Sequence, residues 1–415
     1  QQLFEPAPDS AFQQLLQSET FSRTRHEPGA GATLLLDTFP EIEGASCLFL
    51  RLEEDEALTL RFTAQGEYRM IACPSGGWML KPTQADRPSY WIPQAPLMRS
   101  YDTAGRILSE KPTTMVGFEA TSTSVSIEFQ TIGDMHLDLT VWRFAPEAAS
   151  VATELERPLT LESQPVFFWT SQTVFQEPAD VYLYLIHGQV YTNRFIWPRK
   201  WKICSEHDAY GLYVLMTGLA LATEKTLYTL LKQQLLFSVI ARQSDDGGWY
   251  HGEWPDLVES HYRFHNGGTL LLEAALEERH DVVVYAALQG AASFTSRHID
   301  TTDLGLWFLH DSLEESEEGM NALWEQTGAP WRPTRTLGKA ATNKLILNTH
   351  IDSTVALQRY RQVTDDEQYS EQVDSARAAT LAMLSLRPAE PLYRLVYWAL
   401  GLTLLPEAEA RQLPL

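Results

Sequence analysis

Apolar and polar residues alternate along the first third of the chain, and a helical spacing replaces this alternation further on. Between residues 34 and 141, short runs with an apolar residue at every second position are separated by Gly, Pro and Asp. Such runs are typical of half-buried antiparallel strands. Clear examples lie at 58–64, 124–132 and 136–144. We therefore expect residues 1–150 to form an antiparallel β-sandwich of about eight strands.

The pattern changes after residue 150. Residues 151–204 form a transition segment rich in Glu, Pro and Thr, of which 165–175 is expected to be extended, and residues 74–82 and 101–106 are expected to be loops. Beyond the transition, apolar residues recur at i, i+3 and i+4, which predicts helices. The predicted helices are Tyr210–Thr223, Lys225–Ala241, Thr269–Glu278, Asp281–Ser296, Leu345–Val363, Glu367–Ser385 and Leu392–Leu405.

Pairs of these helices recur at intervals of roughly 35–50 residues, which indicates stacked helical hairpins. Their connectors at 247–268 and 303–311 are rich in aromatic residues, Gly and His. Loops of this kind favour a closed (α/α) toroid over an open solenoid. The predicted fold class is α+β multidomain, with a β-sandwich (1–150), a transition segment (151–204) and an incomplete (α/α) toroid that carries catalysis (205–415).

The segment from Asp245 to Gly268 concentrates ionisable groups beside aromatic rings, a mixture that a buried core helix would not carry. The alternative is a solvated loop that leads into a helix. Two of its histidines are four residues apart, a spacing that suits a metal, but the segment lacks the Glu of an HExxH motif, so no cofactor is expected. The candidates here are His261, Tyr262, His265 and Tyr250 for acid and base chemistry, and Trp249, Glu253 and Arg263 for substrate binding.

A second group, in residues 347–353, precedes the apolar stripe of a predicted helix. Asn348, His350 and Asp352 suit the polarisation of a carboxylate or the transfer of a proton, whereas Asn348 or Thr349 could instead be the helix N-cap. A third group begins the first toroid helix, where Asp208 is a candidate binding residue or a cap. Tyr210 beside it and Trp307 in the 303–311 connector are further binding candidates, and His310 with Asp311 in that connector is expected to be structural.

Basic residues are scarce, because 32 Lys and Arg face 54 Asp and Glu, giving a net charge of −22. This balance argues against nucleic acid and anionic membrane surfaces as partners. The basic residues nevertheless cluster beside Trp, which suits an anionic sugar polymer, although they could also balance nearby acids. One cluster contains Arg194, Arg199, Lys200, Trp201 and Lys202; the other contains Trp324, Trp331, Arg332, Arg335, Lys339 and Lys344.

The segment from about 204 to 385 resembles the C-terminal toroid domain of D-glucuronyl C5-epimerases and, more loosely, the toroid polysaccharide lyases. The resemblance is carried by DAYGLY (208–213), LLFSVIARQSDDGGW (235–249), LGLWFLHD (304–311) and LNTHIDSTVALQRY (347–360). It implies a toroid that acts on a uronate-containing glycan. In the last motif that family has a tyrosine where this chain has Asp352 and an aromatic residue where it has His350, so the resemblance does not transfer a tyrosine proton donor to this site.

These observations predict an enzyme that removes the C5 proton of a uronate in an anionic polysaccharide or oligosaccharide, as an epimerase or a lyase. Two alternatives stay open. One is a glycoside hydrolase with two of Asp208, Glu253, Asp256 and Asp352 as its paired carboxylates. The other is a non-catalytic protein for glycan binding or exopolysaccharide assembly.

The start of the chain, its longest apolar run and its cysteines bear on the location of the protein and on disulfide formation. The chain opens at Gln1 without Met or a basic–apolar leader, which fits a mature exported form and a shortened chain equally well. We expect a periplasmic or extracellular location, with the cytoplasm as the alternative. The longest apolar run, 211–223, is too short to cross a bilayer, so no membrane span is expected. Three cysteines exclude a zinc ribbon and a dense disulfide framework, and one Cys47–Cys73 bridge stays possible.

Overall fold

The structure, a computed structural model, divides into two compact units, Gln1–Phe294 and Thr295–Leu415, which are called the N-terminal unit and the C-terminal unit below. Each is described by itself. The structure describes residues 12–29, 31–54, 59–101, 107–130, 133, 135–167, 174–190, 206–250, 267–277, 281–328, 331–387 and 390–403.

Thirteen strands occupy the described residues between 12 and 144, and three short hairpins follow. The thirteen are β1 (Phe12–Gln17), β2 (Ser22–Gly29), β3 (Ala32–Thr38), β4 (Ala45–Glu54), β5 (Thr59–Gln65), β6 (Tyr68–Ala72), β7 (Trp78–Pro82), β8 (Ser89–Ile92), β9 (Leu97–Tyr101), β10 (Ile107–Pro112), β11 (Thr114–Ala120), β12 (Ser124–Gln130) and β13 (Met135–Phe144). The hairpins are β14 (Val166–Phe167) with β15 (Val174–Phe175), β16 (Leu185–Ile186) with β17 (Gln189–Val190), and β18 (Ile299–Thr302) with β19 (Gly305–Phe308).

Nine α-helices lie in the described part of the chain, eight of them after residue 205. They are α1 (Ala149–Glu156), α2 (Glu206–Thr223), α3 (Thr226–Ile240), α4 (Gly267–Glu277), α5 (Val282–Arg297), α6 (Glu317–Thr327), α7 (Leu347–Thr364), α8 (Ser370–Ser385) and α9 (Glu390–Thr403). The expectation of an antiparallel β region followed by a helical region is therefore confirmed. All seven predicted helices are present with slightly different ends, whereas α1 and α6 were not predicted.

The strands form two antiparallel sheets. The large sheet has the order β1-β2-β3-β4-β13-β8-β7-β6, with β9 also paired to β13 and β10 to β9, and the small sheet has the order β11-β12-β5. Alternate residues of β12 and β13, such as Val125, Ile127, Leu137 and Leu139, are buried in one core to which both sheets contribute. The period-2 pattern therefore marks the residues that face this core.

The other face of the large sheet is also covered, by the 3-10 helix Pro178–Leu183 and by α3. The ring of Phe21 stacks on that of Phe237 in α3 with centroids 4.5 Å apart. The indole N–H of Trp142 donates to the hydroxyl of Tyr182 at 2.6 Å. The central strands are buried on both faces, so consecutive residues are buried at 45–50 in β4 and at 137–142 in β13. This packing places α3 and the large sheet in the same compact unit.

An ion pair is enclosed between the large sheet and α3. The guanidinium of Arg23 binds the carboxylate of Asp37 through Nε at 2.6 Å and Nη2 at 2.7 Å, and both side chains are almost completely buried. Asp37 also accepts a hydrogen bond from Nε2 of Gln234 in α3 at 3.0 Å. Tyr182 donates to Oε1 of the same Gln234 at 2.8 Å. We call these four residues the buried network; each polar group named finds its partner inside the protein.

The C-terminal unit is built around the β18–β19 hairpin, which packs against α7 and α8. Gly305 turns the hairpin with φ of 131°, and a Cβ there would lie 2.6 Å from the carbonyl oxygen of Ser375 in α8. The connector at 303–311 contains the turn and the second strand of this hairpin, whose first strand lies before it. Helix α6 begins after Ser316, whose hydroxyl accepts from the Gly319 N–H, and ends at Gly328 in the left-handed region.

Several smaller expectations also have an outcome. Residues 74–82 were expected to be a loop, but Trp78–Pro82 is strand β7; of residues 101–106, Tyr101 ends β9 and the others lie outside the described residues. Cys47 and Cys73 are both buried free thiols, so the bridge between them does not form. No described helix is both long and apolar enough to cross a membrane. Domain boundaries at 150 and 204 stay a prediction, as does closure of the helices into a toroid.

Candidate functional site

The predicted site residues fall into three sets. Outside the described residues lie Arg199, Lys200, Trp201, Glu253, His261, Tyr262, Arg263 and His265. The N-terminal unit contains Asp208, Tyr210, Trp249 and Tyr250, and the C-terminal unit contains Trp307, Lys344, Asn348, His350 and Asp352. The two described sets are considered separately.

Asp208 lies in the first turn of α2, where it is buried together with Glu206. The Glu206 carboxylate forms an ion pair with Nη1 of Arg242 at 2.6 Å. Carboxylates in the first turn are stabilised by the positive end of the helix dipole. Because only 1% of Asp208 is exposed, we replace its predicted role in substrate binding with a structural one. Tyr210, two residues after Asp208, is half-buried.

The two aromatic residues after Gly247 and Gly248 differ in exposure. Trp249 is buried, and its indole N–H donates to the carbonyl oxygen of Val239 at 3.0 Å, so a sugar ring cannot stack on it in this arrangement. Tyr250 is 43% exposed, and its hydroxyl donates to Oδ2 of Asp246 at 2.7 Å. The acid or base role of Tyr250 stays a prediction.

His350 is completely buried in the first turn of α7. Its Nδ1 accepts the backbone N–H of Phe308 at 3.0 Å, and its Nε2 donates to the carbonyl oxygen of Ala376 at 3.1 Å. Burial lowers the pKa of His350 to about 4, although the hydrogen bond to Ala376 opposes the shift. A neutral ring with both nitrogens bound to the backbone has none to offer a substrate. We therefore replace its predicted acid or base role with a structural one.

Trp307 stacks on His350 with ring centroids 3.9 Å apart and an interplanar angle of 5°. Because only 1% of Trp307 is exposed, the stacking surface predicted for a sugar is occupied by the imidazole. The N-cap of α7 is Ile346, so the alternative that Asn348 or Thr349 caps this helix is wrong. Asn348 is exposed and Asp352 is half-buried, and the roles predicted for both stay predictions.

His310 is the functional candidate that the sequence did not identify. Its Nδ1 lies 2.6 Å from the hydroxyl of Thr349 on α7, and its Nε2 lies 3.7 Å from Oδ2 of Asp311. The ring therefore has a hydroxyl beside one nitrogen and a carboxylate near the other, and its side chain is 13% exposed. The adjacent residues His310 and Asp311 were the only sequence feature that pointed to this histidine. Its contact with Thr349, 39 residues further along the chain, could not be inferred from them.

One buried carboxylate fixes two of these groups. Glu314 accepts the backbone N–H of His310 through Oε2 at 2.6 Å and that of Lys344 through Oε1 at 2.8 Å. Burial raises the pKa of Glu314, although these two hydrogen bonds oppose the shift. The ammonium-bearing side chain of Lys344 is exposed. The structure thus joins Lys344, a predicted binding residue, to His310 through a single side chain.

Residues 331–344, which we call the basic loop, hold four cations with different environments. Lys339 is buried, and its ammonium donates to the carbonyl oxygens of Thr334 at 2.7 Å and Ala340 at 3.3 Å, which gives it a structural role. Arg332, Arg335 and Lys344 are exposed. The ion pairs described in the C-terminal unit join other residues, and these three side chains make none in the described structure. The charge of Lys344 nevertheless lowers the pKa of the buried Glu314 carboxyl, so this cation does balance a nearby acid. For Arg332 and Arg335 the alternative that they balance nearby acids stays open.

The basic loop is held at several points by the β18–β19 hairpin. Oδ2 of Asp300 accepts from the backbone N–H of Ala340 and from Nδ2 of Asn343, both at 2.8 Å. The backbone N–H of Asp303 donates to the carbonyl oxygen of Leu337 at 2.9 Å. Gly338 has φ of 68°, and a Cβ there would lie 2.3 Å from Oδ1 of Asp303, so this position favours glycine. These contacts fix the backbone that carries the exposed cations.

Two tryptophans accompany the basic loop. Trp331, at its first position, is half-buried, and its indole N–H donates to Oδ1 of Asn321 in α6 at 3.1 Å. Trp324 lies one turn after Asn321 on the same helix and is 45% exposed. The exposed ring of Trp324 and the guanidinium of Arg332 therefore belong to segments that are in direct contact.

The described residues contain no group of three or more His, Cys, Asp or Glu side chains arranged to hold a metal ion. The pair His261 and His265, for which a metal was considered, lies outside these residues.

The chain was compared with protein families and with curated proteins. No family model matches it, and the search of curated proteins finds no match. The resemblance to D-glucuronyl C5-epimerases therefore stays a prediction that depends on the four quoted motifs.

Proposed function

We propose that this protein is an enzyme that binds and modifies an anionic, uronate-containing glycan. The observation that carries the proposal is the basic loop, where Arg332, Arg335 and Lys344 are exposed without an ion pair on a backbone fixed by Asp300 and Asp303. The chain as a whole has a net charge of −22. In such a chain, exposed cations without carboxylate partners favour an external anion.

The chemistry of the basic loop fits a sugar polymer better than an isolated anion. Guanidinium groups bind carboxylates through two parallel hydrogen bonds, and an exposed indole stacks on the apolar face of a sugar ring. Trp324 supplies such an indole on the helix that contacts the loop. A chain of uronate residues presents both features in a regular repeat.

The proposed reaction begins with removal of the C5 proton beside the uronate carboxylate. That step needs cations or amides to neutralise the carboxylate, and a base to take the proton. Lys344 and the exposed amide of Asn348 are the described residues we assign to the carboxylate. Closure of the helical hairpins into a toroid is part of the proposal, because a rim of connecting loops would form the cleft.

The first experiment measures binding of the full chain to polygalacturonate, alginate and hyaluronan, with neutral dextran as the negative control. We expect Arg332→Ala with Arg335→Ala to weaken binding to the preferred polyuronate at least about tenfold. The matched control is Arg361→Ala with Arg387→Ala, which removes the same charge from arginines that are paired with Glu367 and Glu390 in the same unit. Equal weakening in both double variants, or wild-type binding to none of the three polymers, would reject the proposal.

The products then separate the reaction classes. Ultraviolet absorption by an unsaturated uronate indicates a lyase, and deuterium uptake at C5 without cleavage indicates an epimerase. New reducing ends without unsaturation indicate a hydrolase, for which paired carboxylates are needed. Binding without any of these products would indicate a non-catalytic glycan-binding protein.

A further inference from the structure

We propose that Glu314 and Leu345 are positioning residues, which hold the backbone at Lys344 so that its ammonium meets a carboxylate of a bound polyuronate. The inference rests on the proposed function and adds two residues to which that function gives no role. It starts from the backbone of Leu345, the residue directly after the basic loop. Its φ of 54° lies in the left-handed region, where a bulky side chain is an outlier.

A second leucine of this segment has the same conformation. Leu337, inside the basic loop, has φ of 64°. A leucine side chain cannot form the local hydrogen bond that allows Asn or Asp to adopt this conformation. Such backbone strain persists only where surrounding contacts enforce it, and it concentrates at binding and catalytic sites. The left-handed leucines therefore indicate a functional role for the turn that connects the basic loop to α7.

Residues 342–345, which we call the clamped turn, are enforced by a buried asparagine. Oδ1 of Asn343 accepts the backbone N–H of Leu345 at 2.7 Å, and its Nδ2 donates to Oδ2 of Asp300 at 2.8 Å. The first bond closes the turn around Leu345, and the second attaches the turn to strand β18. Leu345 thus keeps its left-handed conformation because Asn343 is held from the opposite side.

Glu314 holds the clamped turn with both its backbone and its side chain. Its carbonyl oxygen accepts the hydroxyl of Thr342, and its Oε1 accepts the backbone N–H of Lys344 at 2.8 Å. Its Oε2 accepts the backbone N–H of His310 at 2.6 Å. A carboxylate can accept a hydrogen bond at each oxygen, whereas the amide of Gln has a single acceptor oxygen. The charge state of Glu314 is therefore matched to holding Lys344 in place.

Lys344 is the exposed residue of this otherwise enclosed segment. Thr342 and Asn343 are buried, Leu345 is half-buried, and the Lys344 side chain extends into solvent. A fixed backbone reduces the ordering that a flexible side chain must undergo when a ligand binds. An ammonium recognises a carboxylate as a compact point charge, so its position depends on where its backbone is held. The clamped turn thus provides a fixed origin for this cation.

The first test compares the polyuronate affinity of Lys344→Gln with that of Lys111→Gln in the full chain. Lys111 is also exposed, and it lies in strand β10 of the N-terminal unit. We expect Lys344→Gln to weaken binding about tenfold, because a charge-assisted contact is lost, and Lys111→Gln to change it less than about twofold. Equal affinities in the two variants would overturn the proposal.

The second test separates the conformation of Leu345 from its packing. Glycine adopts a positive φ without strain, whereas β-branched valine is strongly disfavoured there. We expect Leu345→Gly to keep the polyuronate affinity within about twofold of wild type and Leu345→Val to weaken binding about fivefold or more. If the side chain served only packing, glycine would be the more harmful change. That order, or equal affinities in the two variants, would overturn the proposal.

Glu314→Gln keeps the test decisive if Leu345→Val does not fold. Removing a buried negative charge would by itself strengthen binding of an anion at Lys344, so a weaker affinity reports lost position. We expect a loss of about fivefold or more. The control is Asp281→Asn, which should retain affinity, because the one oxygen of Asp281 that binds two backbone N–H groups is kept in asparagine. A folded Glu314→Gln variant with unchanged or higher affinity would overturn the proposal.

The same measurements distinguish this inference from the proposed function. If wild-type protein binds none of the three polymers, the proposed function itself fails. If it binds one of them and Lys344→Gln binds equally well, glycan binding stands and the positioning of Lys344 is rejected.

Discussion

The two units use arginine in opposite ways. In the N-terminal unit, Arg23 is sealed in the buried network, where Asp37 and the carbonyl oxygen of Gly188 accept its N–H groups. In the C-terminal unit, Arg332 and Arg335 extend from a fixed backbone into solvent without a carboxylate partner. A buried charge has to be paired inside the protein, whereas an exposed one is free to bind an external ligand. The environment of an arginine, and not its presence, therefore separates structural residues from binding residues here.

The largest expected change in the free energy of unfolding comes from removing the carboxylate of the buried network. Asp37→Ala leaves the Arg23 guanidinium buried without its carboxylate, and we expect the free energy of unfolding to fall by about 3–5 kcal/mol. Denaturant unfolding measures the change. The control is Glu27→Ala, which removes the exposed Arg25–Glu27 pair and should cost less than about 1 kcal/mol. Similar losses in both variants would contradict the distinction between buried and exposed pairs.

A comparable loss is expected within the C-terminal unit when its buried tryptophan is truncated. Trp307→Ala removes the ring that stacks on His350, and we expect a loss of about 3–5 kcal/mol in the free energy of unfolding. Trp307→Phe should cost clearly less, because the buried indole N–H that it removes makes no hydrogen bond. Thermal unfolding of the two variants provides the measurement, and equal losses would show that the indole N–H is satisfied.

Protonation of His350 at low pH is expected to lower the free energy of unfolding by less than these two substitutions do. The folded-state pKa of His350 is about 4, below the ordinary value of 6.5, so the unfolded chain binds a proton before the folded one does. Stability is therefore full above about pH 6.5 and falls as the pH decreases toward 4, by about 2 kcal/mol at pH 5. Burial also lowers the pKa of His187 to about 4, so the contribution of His350 is the difference between wild type and His350→Gln. If wild type and His350→Gln lost the same free energy of unfolding between pH 6.5 and pH 5, His350 would not be the source of this loss.

The smallest expected effect separates binding from stability. Trp324→Ala should leave the melting temperature nearly unchanged, because the ring is 45% exposed, while polyuronate affinity falls several-fold through loss of stacking. Raising the ionic strength from about 0.05 M to about 0.5 M should weaken binding further by screening Arg332 and Arg335. Titration calorimetry at the two salt concentrations tests both statements. Affinity that is independent of salt would argue against an electrostatic contact.

Local patterns in the sequence were enough to predict the main elements. Apolar periodicity is set by neighbouring residues, so all seven predicted helices are present. Helix α6 was not predicted although Ser316 and Gly328 give ordinary start and stop signals for a helix. Strand β7 was obscured by the glycines that precede it.

The candidate site was harder to predict because its chemistry depends on distant contacts. His350 and His310 have opposite environments because of Phe308, Ala376 and Thr349, which lie 26 to 42 residues away along the chain. Whether Arg332 has an ion pair is likewise a question of tertiary structure. Residue types and spacing identified the basic loop, but only the fold separated the structural Lys339 from its exposed neighbours.

Hydrogen exchange of the full chain, with and without the preferred polyuronate, tests the central claim most directly. If the basic loop and α6 bind the polymer, amide protection should increase in residues 331–344 and 317–327 and stay unchanged in β1–β4, where the buried network lies. Protection that increases only in the N-terminal unit, or nowhere in the chain at saturating polymer, would contradict the account.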